Sequence, residues 1–528
     1  MRPSALNFKK SILLWSLIFG LGLQSGFSEE PLITQAELQG PLPGSATDLV
    51  HSINALVGEP IDPVRVQALA DSLAAAWLQI GYPKATVSWN AVGDEKGEGL
   101  RLTFTSSPGP AAVWHLGDLS LKGNTVTQPH ILLRELPVYS GMRLTSDDLE
   151  RIQNNLLGTS LFSDVTLTQF ETASPGVVDL EVKVSEARTG RIETGASYTE
   201  DTGPLFLFQL QERNFAWGPP WRGQALQVSL GAQLGSDLTQ VDARLRNPRM
   251  GVGLWSVDTT IFYEDNGTLS DFYAQESLGA QLFFSHPYGP NNLLSIGVGY
   301  TRYEVYDVDE RLADDPTLND ESDVDLSAIY GIWSYEKLDR SFRPTRGFRM
   351  KQQVGLGTDL LGGNTEVLEY ENKAHFYLNP FKDHVILLKG GINSVDPLGG
   401  TRDVPIPLRE WLGGVENLRG FSYHSISPFT EEGVPIGGLS SWWGAVEYMV
   451  PLHPFLDASV YYEVGHVSAD AWDLGTENMV SDWGAGLLVR AENFPVRLDL
   501  AFPITVAEGD RINKKGEAFF SFSVGYTF

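Results

Sequence analysis

The chain has 528 residues, with 54 glycines, 11% aromatic residues and a formal charge of -28 at pH 7. Such acidity excludes sequence-independent nucleic-acid binding, which needs a basic surface, and zero cysteines exclude a disulfide framework and thiolate metal sites. Glycine and aromatic residues spread along the chain favour a β-rich protein with many turns.

The N-terminus reads MRPSALNFKKSILLWSLIFGLGLQSGFSEE. Arg2, Lys9 and Lys10 precede an apolar run from Ile12 to Leu23, and Gly26 and Ser28 stand at the small-residue positions of a cleavage site. Residues 1–28 are therefore expected to be a secretory signal peptide rather than a membrane anchor, since about a dozen apolar residues cannot cross a ~30 Å hydrocarbon core as a helix. No later stretch is apolar for long enough to make such a helix, and the mean hydropathy is -0.12. The exported chain is either soluble or crosses a membrane as a β-barrel.

Residues 31–108 follow an order of strand, two helices and two strands. In the second helix Val66, Leu69, Ala70, Leu73 and Trp77 recur at helical spacing. Residues 112–188 repeat that order; Thr145 and Asp148 make a helix start, and Leu149, Ile152, Leu156 and Leu157 supply the apolar face. A unit of about eighty residues that recurs only twice reads as two small α+β domains in series, not a solenoid.

From 190 to 528 the helical period disappears. Sixteen strands are expected, at 190–200, 203–214, 224–235, 237–247, 253–264, 271–285, 293–305, 324–338, 347–358, 366–379, 384–394, 437–450, 457–467, 481–491, 495–504 and 517–528. The last shows the pattern plainly: Phe520, Phe522, Val524, Tyr526 and Phe528 share one face, and Ser521, Ser523, Gly525 and Thr527 the other. A soluble sandwich also alternates, but sixteen strands would then break into domains with linkers, and none is visible. The fold class expected is thus two α+β domains followed by a 16-stranded antiparallel transmembrane β-barrel. Short connections such as NPRMGV, YGPNN and RSFRPTR alternate with long ones at 306–323, 395–436 and 468–480. This places both barrel ends and the α+β domains on the short-turn, periplasmic side.

The longest connection, about forty residues, contains GGVENLRGFSYHS. Its Trp411, Leu412, Leu418 and Phe421 are unneeded in a solvated loop, so the loop is expected to fold into the lumen, where Arg419 must be paired. In SSWWGAVEYMV the apolar face (Trp442, Val446, Tyr448, Val450) leaves Glu447 pointing inward, and in DASVYYEVGHV the same parity turns Glu463 inward. Arg419 between these two acids would pin the loop; the alternative is an ordinary arginine of a surface loop.

These residues resemble the BamA/TamA outer-membrane assembly family. LRGF (Arg419, Gly420, Phe421) is similar to its lumen-loop signature, the two α+β units to its POTRA domains, and DRSFRPTRGFR (Asp339, Pro344, Gly347) to its strand-turn-strand motif. The family commonly has aspartate where this chain has Glu463, and glycine where it has Ser523. The resemblance implies a protein of the outer membrane that is not an enzyme, with POTRA domains in the periplasm. It would fold or translocate unfolded outer-membrane or secreted clients, in contact with outer-membrane lipids and with periplasmic chaperones or an inner-membrane partner. No cofactor or nucleic acid is implied. The first strand carries Gly190 and Gly195, so its pairing with the last strand, which ends in Tyr526 and Phe528, is expected to be a weak seam. Two alternatives stay open: a two-partner secretion transporter exporting one dedicated protein, which shares this architecture, and a passive porin. The stretch 307–325 holds nine acids against one arginine; without regular ligand spacing it reads as a solvated loop rather than a calcium site. The histidines show no metal spacing, and neither a nucleophile elbow nor a phosphate loop is present.

Overall fold

A computed structural model describes residues 32–524 except 44–46, 80–81, 83–84, 95–98, 109–113, 175, 200–202, 252, 271, 313–323, 341–342, 402, 431–432 and 490–495. The expected signal peptide, most of the acidic stretch 307–325, and Tyr526 and Phe528 lie outside the described residues. Chain contacts define two compact units.

The first unit comprises residues up to 123 with 135–159 and 164–185. It holds β1 (Ile33–Gln39), α1 (Thr47–Asn54), α2 (Pro63–Gln79), β2 (Thr86–Gly93) and β3 (Leu100–Ser107). The sheet order is β1-β3-β2, with β1 parallel to β3. Val66, Ala70 and Leu73 of α2 pack on Ile33, Leu102 and Phe104, and the Trp77 indole donates to the Ser106 hydroxyl at 2.7 Å. The second sheet repeats this arrangement as β4 (His115–Lys122), β6 (Val177–Glu186) and β5 (Phe162–Glu171), with β5 at an edge. Between β4 and β5 lie a five-residue helix, α3 (Pro129–Leu133), and α4 (Ser146–Gly158). Thr145 and Asp148 form a reciprocal capping box on α4. Ile152 and Leu156 are buried, whereas Leu157, expected on the apolar face, is 37% exposed.

The second unit comprises 124–134, 160–163 and 186–528. Its sixteen strands form one antiparallel sheet in sequence order. They are β7 (Gly190–Thr199), β8 (Gly203–Phe215), β9 (Leu226–Leu234), β10 (Leu238–Asn247), β11 (Ser256–Ser270) and β12 (Tyr273–Pro287), then β13 (Asn292–Tyr306), β14 (Val324–Leu338), β15 (Gly347–Gly357), β16 (Val367–Leu378) and β17 (Val385–Pro397). The last five are β18 (Ser440–His453), β19 (Leu456–Ser468), β20 (Val480–Val489), β21 (Val496–Thr505) and β22 (Phe519–Val524). The largest departure from expectation is at β11 and β12, whose ladder extends to Ser270 and Tyr273. Polar residues such as Asp265 and Asn266 obscure that extension in the sequence, because ladder hydrogen bonds need no apolar side chain. The sheet closes on itself, with β7 and β22 side by side; among the described residues no ladder hydrogen bond joins them.

Alternation defines the wall. Val446, Val460, Tyr462, Trp483, Leu500 and Phe520 are exposed on the outside, while Glu447, Tyr461, Glu463, Asp482, Asp499 and Ser521 are buried inside. No helix among the described residues is long and apolar enough to cross a membrane, and the crossing is made by strands whose outward faces are apolar.

Within the second unit, Glu186, the last residue of β6, anchors the start of segment 124–134. Its carboxylate accepts from the amides of Val126 (3.1 Å) and Thr127 (2.6 Å) and from the Thr125 hydroxyl (2.6 Å). Asn214 donates to the Thr127 hydroxyl at 3.0 Å, and the Gln128 amide to the Gly223 carbonyl at 2.9 Å. Burial would raise the Glu186 carboxyl, but the Thr125, Thr127 and Val126 hydrogen bonds outweigh it and hold the group below the ordinary glutamate value of 4.5. A depressed folded-state value stabilises above the unfolded pKa and is lost as pH falls through the folded one. Amides of 124–134 should therefore be protected from hydrogen exchange at pH 7 and lose protection as the pH drops below about 4. Glu186→Gln should weaken that protection at pH 7.

Candidate functional site

The connection from β17 to β18, residues 398–439, folds into the lumen. Leu412 and Ile426 bridge each other through two backbone hydrogen bonds of 3.1 and 3.0 Å, and the Gly414 amide donates to the Phe421 carbonyl at 2.9 Å. The loop is held by an apolar cluster of Leu412, Leu418, Phe421 and Ile426 with Trp443, Ala445, Val467 and Val480. Phe421 and Leu418 are fully buried, each burial contributing about 1.5–3 kcal/mol. Trp411 packs separately, beside Tyr273, Ile406 and Val434.

This packing seats Arg419 against the wall, with 3% of its surface exposed. Its backbone amide donates to Glu463 Oε2 at 2.8 Å, and its Nε and Nη2 donate to Glu463 Oε1 at 3.0 and 2.7 Å. Nη2 also reaches Glu447 Oε2 at 3.2 Å. The structure thus brings together Arg419, Glu447 and Glu463 from three separate stretches of sequence. The carboxylate at 463 takes both the backbone and the side chain of the arginine, so glutamate serves there.

Further groups complete the cluster. Arg419 Nη1 donates to Asp499 Oδ1 at 3.2 Å, and the guanidinium carbon lies 3.3 Å from the Tyr461 ring centroid. Arg497 bridges Glu447 (2.7 Å) and Asp499 (2.5 Å), and Lys389 Nζ stands 3.4 Å from Glu463. The Gly420 amide donates to Asp482 Oδ2 at 3.0 Å. A Cβ on Gly420 would lie 2.7 Å from the Asp482 Cβ, so close approach, not chain flexibility, requires glycine here. Sequence reasoning missed Asp482, Asp499 and Arg497, although the parity that placed Glu447 and Glu463 applies to them: exposed Trp483 flanks Asp482, and exposed Leu500 flanks Asp499. Asn513, on the connection from β21 to β22, joins from the other side. It accepts from the Ser422 amide at 3.2 Å and donates to the Ser425 hydroxyl at 3.0 Å.

The strand-turn motif lies elsewhere, at the short-turn end. Asp339 accepts from the Thr345 hydroxyl (2.6 Å) and from the amides of Thr345 (2.9 Å) and Arg346 (3.1 Å). Led by the Thr345 hydroxyl, these bonds hold its carboxyl at about 2. Pro344 is half-buried between Arg343 and Thr345, and Arg343 reaches across to Asp457 at the start of β19 (2.5 Å). Gly347 has φ of 125° and abuts the Lys337 carbonyl, which a Cβ would approach to 2.1 Å. At the first strand, Gly190 pairs with Glu212 and Gly195 with Leu207 of β8. A Cβ on Gly195 would make only ordinary contact with Leu207, so nothing on that face demands glycine. The structure keeps these two groups apart from the Arg419 cluster.

Arg419→Ala should leave three buried carboxylates short of a partner and destabilise loop docking by about 3–5 kcal/mol. Protease cleavage within 398–439 of the otherwise folded barrel would report it. Gly420→Ala removes no donor, yet should open the same segment by overpacking, at about 1–3 kcal/mol; unchanged protection in both variants would show that the cluster does not hold the loop.

Residues 221–528 match the Omp85 superfamily domain. The outer membrane protein assembly factor BamA of Nitratidesulfovibrio vulgaris is 26% identical over 78% of this chain and 51% of its own length. The chain spans about half the length of the curated relatives it matches. In fold it is similar to the crystal structure of BamA from Haemophilus ducreyi lacking POTRA domains 1-3, with a TM-score of 0.76 and 21% identity over 94% of this chain and all of that one. It is also similar to CdiB from Acinetobacter baumannii, with a TM-score of 0.53 and 13% identity over 97% and 96% of the two chains. The family model covers more than half of the residues, and the chain belongs to the Omp85 superfamily.

Proposed function

We propose that this protein is an outer-membrane assembly factor of BamA type that folds and inserts other β-barrel proteins and is not an enzyme. The observation that carries the reading is the Arg419 loop seated in the lumen on carboxylates of β18, β19 and β21. It places a folded loop within the lumen, which suits a scaffold for other chains more than an open pore. The periplasmic α+β domains offer β5 as a sheet edge on which an extended client strand can add by backbone hydrogen bonds. The edges of β7 and β22 offer a second template, where a client strand satisfies groups that no ladder bond occupies among the described residues. Unfolded clients and outer-membrane lipids are the partners this mechanism needs; periplasmic chaperones or an inner-membrane partner would deliver the clients.

The second reading is a transporter dedicated to one exported protein. The pair of N-terminal domains and the fold likeness to CdiB favour it. Depletion followed by quantitative proteomics of the outer membrane separates the two: the assembly reading expects broad loss of barrel proteins, reproduced by Arg419→Ala. Loss of a single secreted protein with the barrels intact would establish the transporter instead. Paired cysteines locking β7 to β22 should block client assembly; unimpaired assembly in the locked protein would remove the seam from the mechanism.

A further inference from the structure

The connection from β19 to β20, residues 469–479, does not project away from the barrel. It folds back over the outside of the wall and crosses β18 and β17 to reach β16. The Trp472 amide donates to the Ser394 hydroxyl at 3.0 Å, and its ring lies 5.4 Å from that of Tyr370. The Ser440 hydroxyl shares its one proton between the carbonyls of Asp470 (2.7 Å) and Asp473 (3.0 Å), and the Trp442 indole donates to the Gly475 carbonyl at 3.0 Å. The Asp473 carboxylate accepts from the Ser468 hydroxyl (2.8 Å) and the Gly475 amide (2.9 Å). Tyr370, Ser394, Ser440, Trp442 and Ser468 all have the parity of the outward face, as do exposed Phe376, Leu388, Val446 and Tyr462. Thus held, the hook leaves Trp472 and Leu474 47% and 46% exposed, and Trp472 adopts a φ of 59°, a conformation disfavoured for a bulky residue.

The height of the hook identifies what it meets. Tyr370 stands eight positions from Leu378 on β16. At about 3.4 Å per residue and a tilt of about 40°, that is roughly 20 Å along the membrane normal, close to the ~25 Å apolar band of a barrel. The lower edge of the band is marked by exposed Phe376 on β16, by exposed Phe381 in the turn that follows it, and by Tyr448 on β18, bonded to His384 at 2.6 Å. Trp472 and Leu474 therefore lie at the upper edge, where aromatic side chains sit between headgroups and acyl chains.

We propose that residues 469–479 are a lipid anchor: a loop-borne hook that inserts Trp472 and Leu474 into the headgroup–acyl boundary of the leaflet at the long-loop end. This rests on the membrane-spanning part of the proposed function, and not on any client. A lipid surface is the occupant because the hook lies flush with the lipid-facing wall, so its outer side meets whatever the wall meets.

The absence of native cysteines makes the test direct. Leu474→Cys, and Val446→Cys at mid-wall as reference, are each labelled with an environment-sensitive fluorophore in the full chain. Each is then reconstituted in phosphatidylcholine vesicles carrying nitroxides at shallow or deep acyl positions. The label at 474 should be quenched several-fold more by the shallow nitroxide than by the deep one, and shielded from aqueous iodide in vesicles; the label at 446 should prefer the deep nitroxide. Iodide access at 474 without nitroxide quenching, while 446 remains quenched, would overturn the anchor. So would shielding at 474 in detergent and vesicles alike without nitroxide quenching, the mark of a protein contact. Loss of quenching at both positions would overturn the membrane-spanning reading and the anchor with it.

Discussion

A guanidinium enclosed by carboxylates is the interaction on which the lumen of this barrel depends. Glu463 and Asp482 stand directly opposite each other on β19 and β20, a juxtaposition of two buried acids that destabilises a strand pair unless donors meet their oxygens. The lumen loop answers it from above: Arg419 takes Glu463, and the Gly420 amide takes Asp482. The wall needs the donors of the loop as much as the loop needs the acceptors of the wall. The apolar cluster around Phe421 and Leu418 decides which conformation meets that demand, because charge attraction alone is non-directional and would tolerate several. Hydrophobic packing sets the position, and charge-assisted hydrogen bonds fix the register.

The contacts continue toward the edge of the sheet. Asp499 and Arg497 are on β21, whose other side pairs with β22. Asn513 ties the connection between these two strands to Ser422 and Ser425 of the loop, and Val506 and Ala507 of the same connection pack against the Phe421 cluster. The loop therefore touches the penultimate strand and the turn leading into the last one. Any displacement of the loop must break bonds to that hairpin, so loop position and the terminal edge are mechanically linked through named side chains.

How much of this was legible in the sequence depended on whether a rule of period two sufficed. The strands, the lumen position of the long loop, and the pairing of Arg419 with Glu447 and Glu463 follow from alternation and from the cost of an unpaired buried charge. Asp482 and Asp499 obey the same rule and were legible in principle; two acids already sufficed for one arginine, and nothing in a linear reading asks for more. Lys389, Tyr461 and Asn513 were not legible, since their roles depend on strand stagger and loop path. The hook at 469–479 was likewise invisible: its serine and tryptophan partners alternate correctly on the wall, and only the chain path reveals that a loop lies over them. Leu157 failed for a simpler reason, because a helical apolar face wider than the surface it packs against leaves its flank exposed.

The two sides of the seam are unequally supported. From β16 to β21 the wall is gripped on its inner face by the Arg419 loop and, over β16 to β19, on its outer face by the hook. Arg343 adds a bond to β19 from the short-turn end. β7 is built differently: its ladder is with β8, Gly195 meets only the Leu207 side chain across it, and Arg191 pairs with Glu193 two residues along the same strand. Glycines add backbone freedom without adding contacts. The β21–β22 hairpin is the side tied to the lumen loop, through Asn513, Val506 and Ala507, so in the proposed mechanism its movement and that of the loop are a single step.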